Sequence, residues 1–184
     1  MKVFVVTGAS SSGKTTLIEH LRERGFPVAH EVARRILAEG ALHPRKNPAA
    51  FQEETVRRQL TEEEALRAQG GEIGFLDRGL YDIAAFCKHF NVQNPPAALE
   101  RGADYGAAFI LESLPQFEHD GVRIESGTEE ATHIKNLIVD EYKKRGVPCV
   151  RVPLLPPAER AEFVLQWAHG NRSIENTEEI RRMA

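Results

Sequence analysis

Gly8-Ala9-Ser10-Ser11-Ser12-Gly13-Lys14-Thr15 follows the spacing Gly-x-x-x-x-Gly-Lys-Ser/Thr, a pattern whose chemistry is the holding of a polyphosphate. Gly8 and Gly13 permit a turn in which successive backbone N–H groups point inward, and the helix that follows adds the positive end of its dipole. Lys14 is expected to bridge the β- and γ-phosphates, with its ammonium in solvent when no nucleotide is bound. Ser10, Ser11 and Ser12 complete the cradle, Thr15 Oγ is expected to coordinate Mg²⁺, and Thr16 to contact the α-phosphate. The ligands implied are ATP, with GTP as an alternative, and Mg²⁺.

Further candidates lie along the chain. Asp77 ends the apolar run Ile73 to Asp77, where proteins with this loop keep a carboxylate for the metal. Its neighbour is Arg78 and not a glutamate, which counts against a power-stroke ATPase. Glu31 ends a second short run, in position to orient an acceptor hydroxyl or take its proton, or else to be an ordinary loop residue. Arg34 and Arg35 suit a phosphate or carboxylate, or plain solvation. The stretch His119-Asp120-Gly121-Val122-Arg123 has the composition of a lid in which Asp120 would position Arg123 against the transferring group; a simple surface loop is the alternative. Glu62-Glu63-Glu64 reads as a solvated helix face, and the histidines show no metal spacing.

These residues need particular elements to bring them together. Lys2 to Thr7, Pro27 to Glu31, Ile73 to Asp77, Ala107 to Leu111 and Val147 to Val152 are short β-prone runs. Helical stretches separate them: from near Gly13, Val32 to Ala38, Ala49 to Ala68, Tyr81 to Phe90, a weaker one at Pro96 to Ala103, and one with Ala131, Ile134, Leu137, Ile138 and Tyr142 inward. A last helix follows at Ala158 to His169. Strands alternating with helices predict an α/β fold, a three-layer P-loop architecture with a five-stranded parallel sheet and helices on both faces. In such a sheet Glu31, Asp77 and the phosphate loop share the carboxyl edge where ligands bind.

The chain's 184 residues suffice for one substantial core, and no linker divides it; a single domain over residues 1–184 is expected, with 171–184 a frayed tail. A net charge of −3 and 28% charged residues make no general case for nucleic acid. The basic residues Arg34, Arg35, Arg45, Lys46, Arg57 and Arg58 leave a polynucleotide end as an open partner. Cys87 and Cys149 lack any metal or disulfide spacing, which fits a reducing compartment. No run approaches the roughly 20 apolar residues of a membrane span, and the run Val3 to Val6 is too short for a signal segment. A cytoplasmic protein is expected.

Several segments taken in order, GASSSGKTTL, HEVARR, FLDRGLYD, FEHDGVR and VPCVRVP, resemble a bacterial P-loop family classed by name with AAA-type ATPases. In layout it is similar to the nicotinamide-riboside kinase domain and to deoxynucleoside kinases. The resemblance covers most of the chain. It implies that Glu31 faces an acceptor hydroxyl, that Asp77 and Arg78 serve Mg²⁺ and phosphate, and that Arg123 stabilises the transferred group. Pro153 and Leu154 would line the base. The implied activity is a Mg²⁺-dependent kinase acting on a nucleoside-like small molecule. A slow ATPase or nucleotide-dependent regulator is the alternative. The sequence lacks the complete Glu-Arg-Ser signature of deoxynucleoside kinases, so the resemblance leaves the acceptor open.

Overall fold

The amino-terminal apolar run forms β1 (Lys2–Gly8), buried from Val3 onward, in a computed structural model that describes residues 1–112 and 127–170. Continuous burial requires cover on both faces, and β1 is the central strand of the sheet. With β2 (Val28–Ala29), β3 (Ile73–Asp77), β4 (Tyr105–Leu111) and β5 (Cys149–Val152) it makes a five-stranded sheet in the order β2-β3-β1-β4-β5. Every pairing is parallel.

Side chains alternate across a strand, so each run feeds two cores. Phe4 and Val6 of β1, with Phe75 and Phe109, pack beneath α1 (Lys14–Glu23) and α6 (Pro157–Ala168). Val3 and Val5, with Leu76, Ala108 and Ile110, face the opposite layer. That layer comprises α3 (Pro48–Ala68), α4 (Leu80–His89) and α5 (Thr128–Lys144). Residues Val32 and Ile36 of α2 (Val32–Glu39) pack on Phe51 in a smaller cluster. A short 3₁₀ turn, Ala97–Arg101, precedes β4.

Three strand boundaries differ by two residues from the sequence expectation, each for a local reason. β2 stops at Ala29 because Glu31 has already turned into the cap position of α2. β4 starts at Tyr105, earlier than the expected Ala107, because the sheet tolerates Gly106 through an irregularity: Val3 pairs with Tyr105 while Val5 pairs with Ala108. β5 starts at Cys149 and not Val147. The Val147 and Gly146 amides turn back to Tyr142 O and Lys143 O, closing α5. Within α5, Ala131, Ile134, Ile138 and Tyr142 are buried as expected, whereas Leu137 is only half-buried.

The parallel register decides the site. Val6 pairs with Asp77 and Gly8 with Leu111, so the phosphate loop leaves the centre of the sheet beside the end of β3. Among the described residues no helix is long and apolar enough to cross a membrane.

Candidate active site

The phosphate loop is shaped by its backbone. Gly8 has φ 137°, and a Cβ built on it would lie 2.3 Å from Leu111 O, so no other residue fits the close approach of β4. Gly13, in the left-handed region, delivers the chain into α1. Ser11 also has positive φ, 57°. Ser11 Oγ and Ser12 Oγ are buried without a hydrogen-bond partner. A buried unpartnered hydroxyl costs free energy, and a ligand rich in acceptor oxygens offsets that cost. Thr15 and Thr16 are exposed at the mouth of the loop, and Ser10 is half-buried.

Lys14 departs from expectation. It is buried, not in solvent, and its Nζ donates to Ala9 O at 2.8 Å. The ammonium is thus folded back across its own loop.

Asp77 stands beside this loop, with Thr15 Oγ1 donating to Asp77 Oδ2 at 3.4 Å. Asp77 Oδ1 is buried with no partner. Burial, reinforced by the charge of Glu31 and only partly opposed by Lys14 and Arg78, pushes its pKa up to about 7. A hard divalent cation takes oxygen donors of this kind, and an orphaned carboxylate oxygen next to a threonine hydroxyl fits Mg²⁺.

The sign of this shift gives a test. Between the ordinary carboxylate pKa near 3.8 and about 7, the folded chain holds a proton that the unfolded chain has lost, so Asp77 withdraws stability as pH rises through that window. Asp77→Asn is therefore expected to raise Tm at pH 8 in EDTA by a few degrees, about 1 kcal/mol in a domain of this size. Saturating Mg²⁺ should erase the difference by stabilising only the wild type. Calorimetry under both conditions checks it, and a lower Tm for Asp77→Asn in EDTA would contradict it.

Arg78 has φ 68°, a conformation uncommon outside glycine. It is held there on every side. Its N–H donates to Val6 O at 3.0 Å, and its carbonyl accepts from Gln59 Nε2 at 3.2 Å. The guanidinium donates through Nε to Glu31 Oε1 at 2.9 Å and through Nη1 to Asp82 Oδ1 at 3.0 Å. Burial works against ionisation of Glu31, but the charges of Arg78, Lys14 and Arg34 with the Arg78 hydrogen bond outweigh it and hold its pKa below the usual range. Glu31 is a carboxylate at neutral pH.

Beneath Arg78 runs a polar network that sequence reasoning missed. Asp82 accepts from Thr7 Oγ1, from Arg78, from the Gly79 amide at 3.0 Å and from the Tyr142 hydroxyl at 2.7 Å. Tyr105 receives the Leu80 amide and donates to Glu63 at 2.6 Å. Glu63 is accordingly buried and not on a solvated face; of its run, only Glu64 is fully exposed. Burial raises its pKa, and it also accepts from Gln59. The one available signal was an aspartate three positions after Gly79, the place in a first helical turn from which a carboxylate reaches back to the cap amide.

Opening beside Glu31 and Arg78 is a narrow recess with a cavity volume of about 20 Å³. Val32, Phe51, Ile83 and Phe86 give it apolar walls, and Gln52, itself buried, is part of its lining.

On the other side of the phosphate loop, Pro153 and Leu154 lie between β5 and α6, and Leu154 is exposed. Arg160, unforeseen from the sequence, donates through Nε to Leu155 O at 2.6 Å and through Nη1 to Ser12 O at 2.9 Å, tying this segment to the loop. Arg160→Ala leaves both carbonyls without that donor. It is expected to weaken ATP binding about tenfold, or about 1.4 kcal/mol, by titration calorimetry; unchanged affinity would separate the tie from nucleotide binding.

Asp120 and Arg123 lie outside the described residues, as does the segment from Asn171. Arg34 and Arg35 are exposed on α2, and Arg35 pairs with Glu62 at 2.7 Å. Arg45, Arg57 and Arg58 likewise pair with Glu130, Glu54 and Glu39. Four of the six residues of the basic group are thereby met by carboxylates. No group of His, Cys, Asp and Glu suited to a metal ion occurs among the described residues, and both cysteines are free.

Residues 3–160 match the sequence model of a family described as an AAA domain. The chain belongs to that family. No curated protein matches the AAA-domain chain. Solved structures do. A NadR protein in complex with NR superposes with TM-score 0.72 at 17% identity, over 90% of this chain and 51% of the other. NadR in complex with NAD and AMP-PNP gives 0.69 at 17%, over 92% and 49%. A deoxyadenosine kinase from M. mycoides, with products dCMP and dCDP bound, gives 0.60 at 13%, over 91% and 98%. The AAA-domain chain thus shares the fold of these chains and spans about half the length of the NadR chains it matches.

Proposed function

We propose that this AAA-domain protein is a Mg²⁺-dependent kinase that moves the γ-phosphoryl of ATP onto a hydroxyl of a nucleoside-like acceptor. The observation that carries the reading is the Glu31–Arg78 pair, set between the phosphate loop and an apolar-walled recess. A switch or a simple hydrolase has no need of an ionised carboxylate facing such a recess. The fold that the chain shares with nucleoside-binding kinases supports it too.

The charge of the recess narrows the acceptor. Its ionisable lining is Glu31, Asp82 and Arg78, two carboxylates against one guanidinium that both of them engage. That lining favours a neutral or cationic nucleoside over a nucleoside monophosphate, because its single guanidinium is shared by two carboxylates.

In the proposed reaction Lys14 exchanges Ala9 O for the β- and γ-phosphate oxygens. Glu31 accepts a hydrogen bond from the acceptor hydroxyl, aims its oxygen at the γ-phosphorus and takes up its proton as the new P–O bond forms and ADP leaves. Arg78 holds Glu31 in place and adds positive charge beside the transferring group. Thr15 and Asp77 would hold Mg²⁺, which when bound supplies charge neutralisation on the β- and γ-phosphates. Pro153 and Leu154 would flank the base, Thr16 the α-phosphate, and Arg123 would reach the transferring group. GTP is the alternative donor.

The test is γ-labelled ATP and Mg²⁺ with pooled nucleosides, nicotinamide riboside, nucleoside monophosphates and 5′-hydroxyl oligonucleotides, the Lys14→Ala chain serving as control. Label on a nucleoside, absent from the control, supports the proposal. Free labelled phosphate alone would replace it with a slow ATPase or nucleotide-dependent regulator.

A further inference from the structure

Asp82 lies in the first turn of α4 and is 1% exposed. Thr7, at the end of β1 just before the phosphate loop, donates its hydroxyl. Tyr142 donates from α5 and the Gly79 amide from the β3–α4 turn, the Asp82 amide returning a hydrogen bond to Gly79 O at 3.1 Å. Arg78 gives the fourth bond, and its other arm is the one that reaches Glu31.

The turn is built around this convergence. A Cβ on Gly79 would stand 2.9 Å from the Tyr142 hydroxyl and 3.0 Å from that of Tyr105, so glycine is required if both tyrosines are to close over the helix start. Arg78 in turn is kept at positive φ. A left-handed arginine is a costly feature for a mere strand-to-helix connection, and the glycine beside it leaves the room that the two hydroxyls fill. Their common result is that one guanidinium is fixed between two carboxylates, one deep and one at the recess.

We propose that Asp82 is a positioning residue for phosphoryl transfer, fixing the Arg78 guanidinium so that Glu31 is aimed at the acceptor, and tying that arm to the strand that carries the phosphate loop. The proposal rests on the kinase reading for its effect on turnover, but its geometric half stands without it. The order Asp82, Arg78, Glu31 is that of a deep anchor, an orienting cation and a working carboxylate. Loss of the anchor lets Arg78 swing, and a displacement of about 1 Å in an aligned group costs on the order of 10²-fold in rate. ATP binding, which depends on Lys14 and the loop amides, is left in place.

The experiment compares the wild type with Asp82→Asn, Asp82→Glu and Tyr105→Phe. Tyr105→Phe removes a buried hydroxyl that bonds the Leu80 amide and Glu63 but not Asp82, and so reports the cost of losing other hydrogen bonds of the same layer. Two quantities are read after each variant's melting curve. One is the Nε–H NMR signal of Arg78 in ¹⁵N-arginine protein, assigned by its loss in Arg78→Lys. The other is kcat and acceptor KM with the pooled nucleosides at saturating Mg-ATP, alongside the ATP dissociation constant.

The expected result is an Arg78 signal that is sharp in the wild type and in Tyr105→Phe but shifted and broadened in Asp82→Asn. In that variant kcat should fall about 10- to 100-fold while ATP affinity changes less than about threefold. Asp82→Glu, which keeps the charge but moves it by a methylene, should fall between, and it decides the matter should the asparagine variant fail to fold. The proposal is overturned by an unmoved Arg78 signal and kcat in a folded Asp82 variant. It is also overturned when both Asp82 variants unfold while Tyr105→Phe does not, since the residue is then structural. A wild type that labels no nucleoside refutes the kinase reading instead, and the Arg78 signal still decides whether Asp82 holds the guanidinium.

Discussion

Lys14→Ala is expected to lower ATP-dependent phosphoryl transfer by at least about 10²- to 10³-fold, the usual effect of deleting one preorganised charge from a developing anion. The loop's geometry accounts for the size. Gly8 and Gly13 direct backbone amides at the phosphates, but Lys14 is the cation carried on the loop itself, in the first position of α1. Its hydrogen bond to Ala9 O adds a second consequence. The ammonium is buried, so removing it leaves a loop carbonyl without its donor and is expected to cost about 1 to 3 kcal/mol of stability. A melting curve must therefore accompany the assay. Lys14→Met, which retains the buried stem but offers Ala9 O no donor, isolates that hydrogen bond: transfer should stay at the alanine level and the stability lost to the unpaired carbonyl should stay lost. Full transfer in either variant would remove the phosphate loop from the mechanism.

The elements that position this loop were legible for a simple reason. A central parallel strand is buried on both faces and must be apolar throughout, and Val3 to Val6 leaves no other assignment; the Gly-Lys-Thr turn and the spacing of Leu17, Ile18 and Leu21 then define α1. Asp77 and Glu31 could be nominated because parallel strands bring their carboxyl ends to one edge. Contacts between elements far apart in sequence left no local trace. Glu63 sits in an acidic run that periodicity reads as solvated, yet Tyr105 from β4 reaches down to it. Asp82 had no motif of its own, and its four donors come from segments between Thr7 and Tyr142. Arg160 is a charged residue on an otherwise ordinary amphipathic helix, and only the fold brings it to Ser12 O. Lys14 departs from expectation for the opposite reason: its motif assigns the side chain to a ligand and says nothing of a carbonyl of its own loop within hydrogen-bond reach.

Many cations of the chain are satisfied by neighbours. Arg35, Arg45, Arg57 and Arg58 each meet a carboxylate on the surface, where such pairs contribute little stability but do reduce the positive field offered to a polyanion. Arg78 differs in being buried between two carboxylates, where removal of one partner leaves an uncompensated charge. For the proposed kinase reading, this contrast favours the Glu31–Arg78 pair over the arginines of α2 and α3.

Glu31→Gln is expected to lower the rate of transfer by about 10²- to 10⁴-fold, the range supplied by a positioned general base, with ATP affinity near that of the wild type. Glutamine preserves the shape and still offers Arg78 Nε an oxygen, so the loss reports the charge and not the contact. Because Glu31 is held ionised below the usual range, the wild-type rate should not fall with Glu31 until pH drops under about 4.5, the ordinary carboxylate value. A second effect distinguishes a base from a metal ligand. Glu31 is one of the causes that raise the pKa of Asp77, so neutralising it should let Asp77 ionise at lower pH and tighten Mg²⁺ binding at pH 6. Titration of Mg²⁺ into the ATP complex at pH 6 and pH 8 reads this directly. Slower transfer with tighter Mg²⁺ at pH 6 is the signature of a carboxylate that faces the acceptor. Equal losses of transfer, ATP affinity and Mg²⁺ affinity would instead make Glu31 part of the metal site, and the recess beside it would lose its claim to the acceptor.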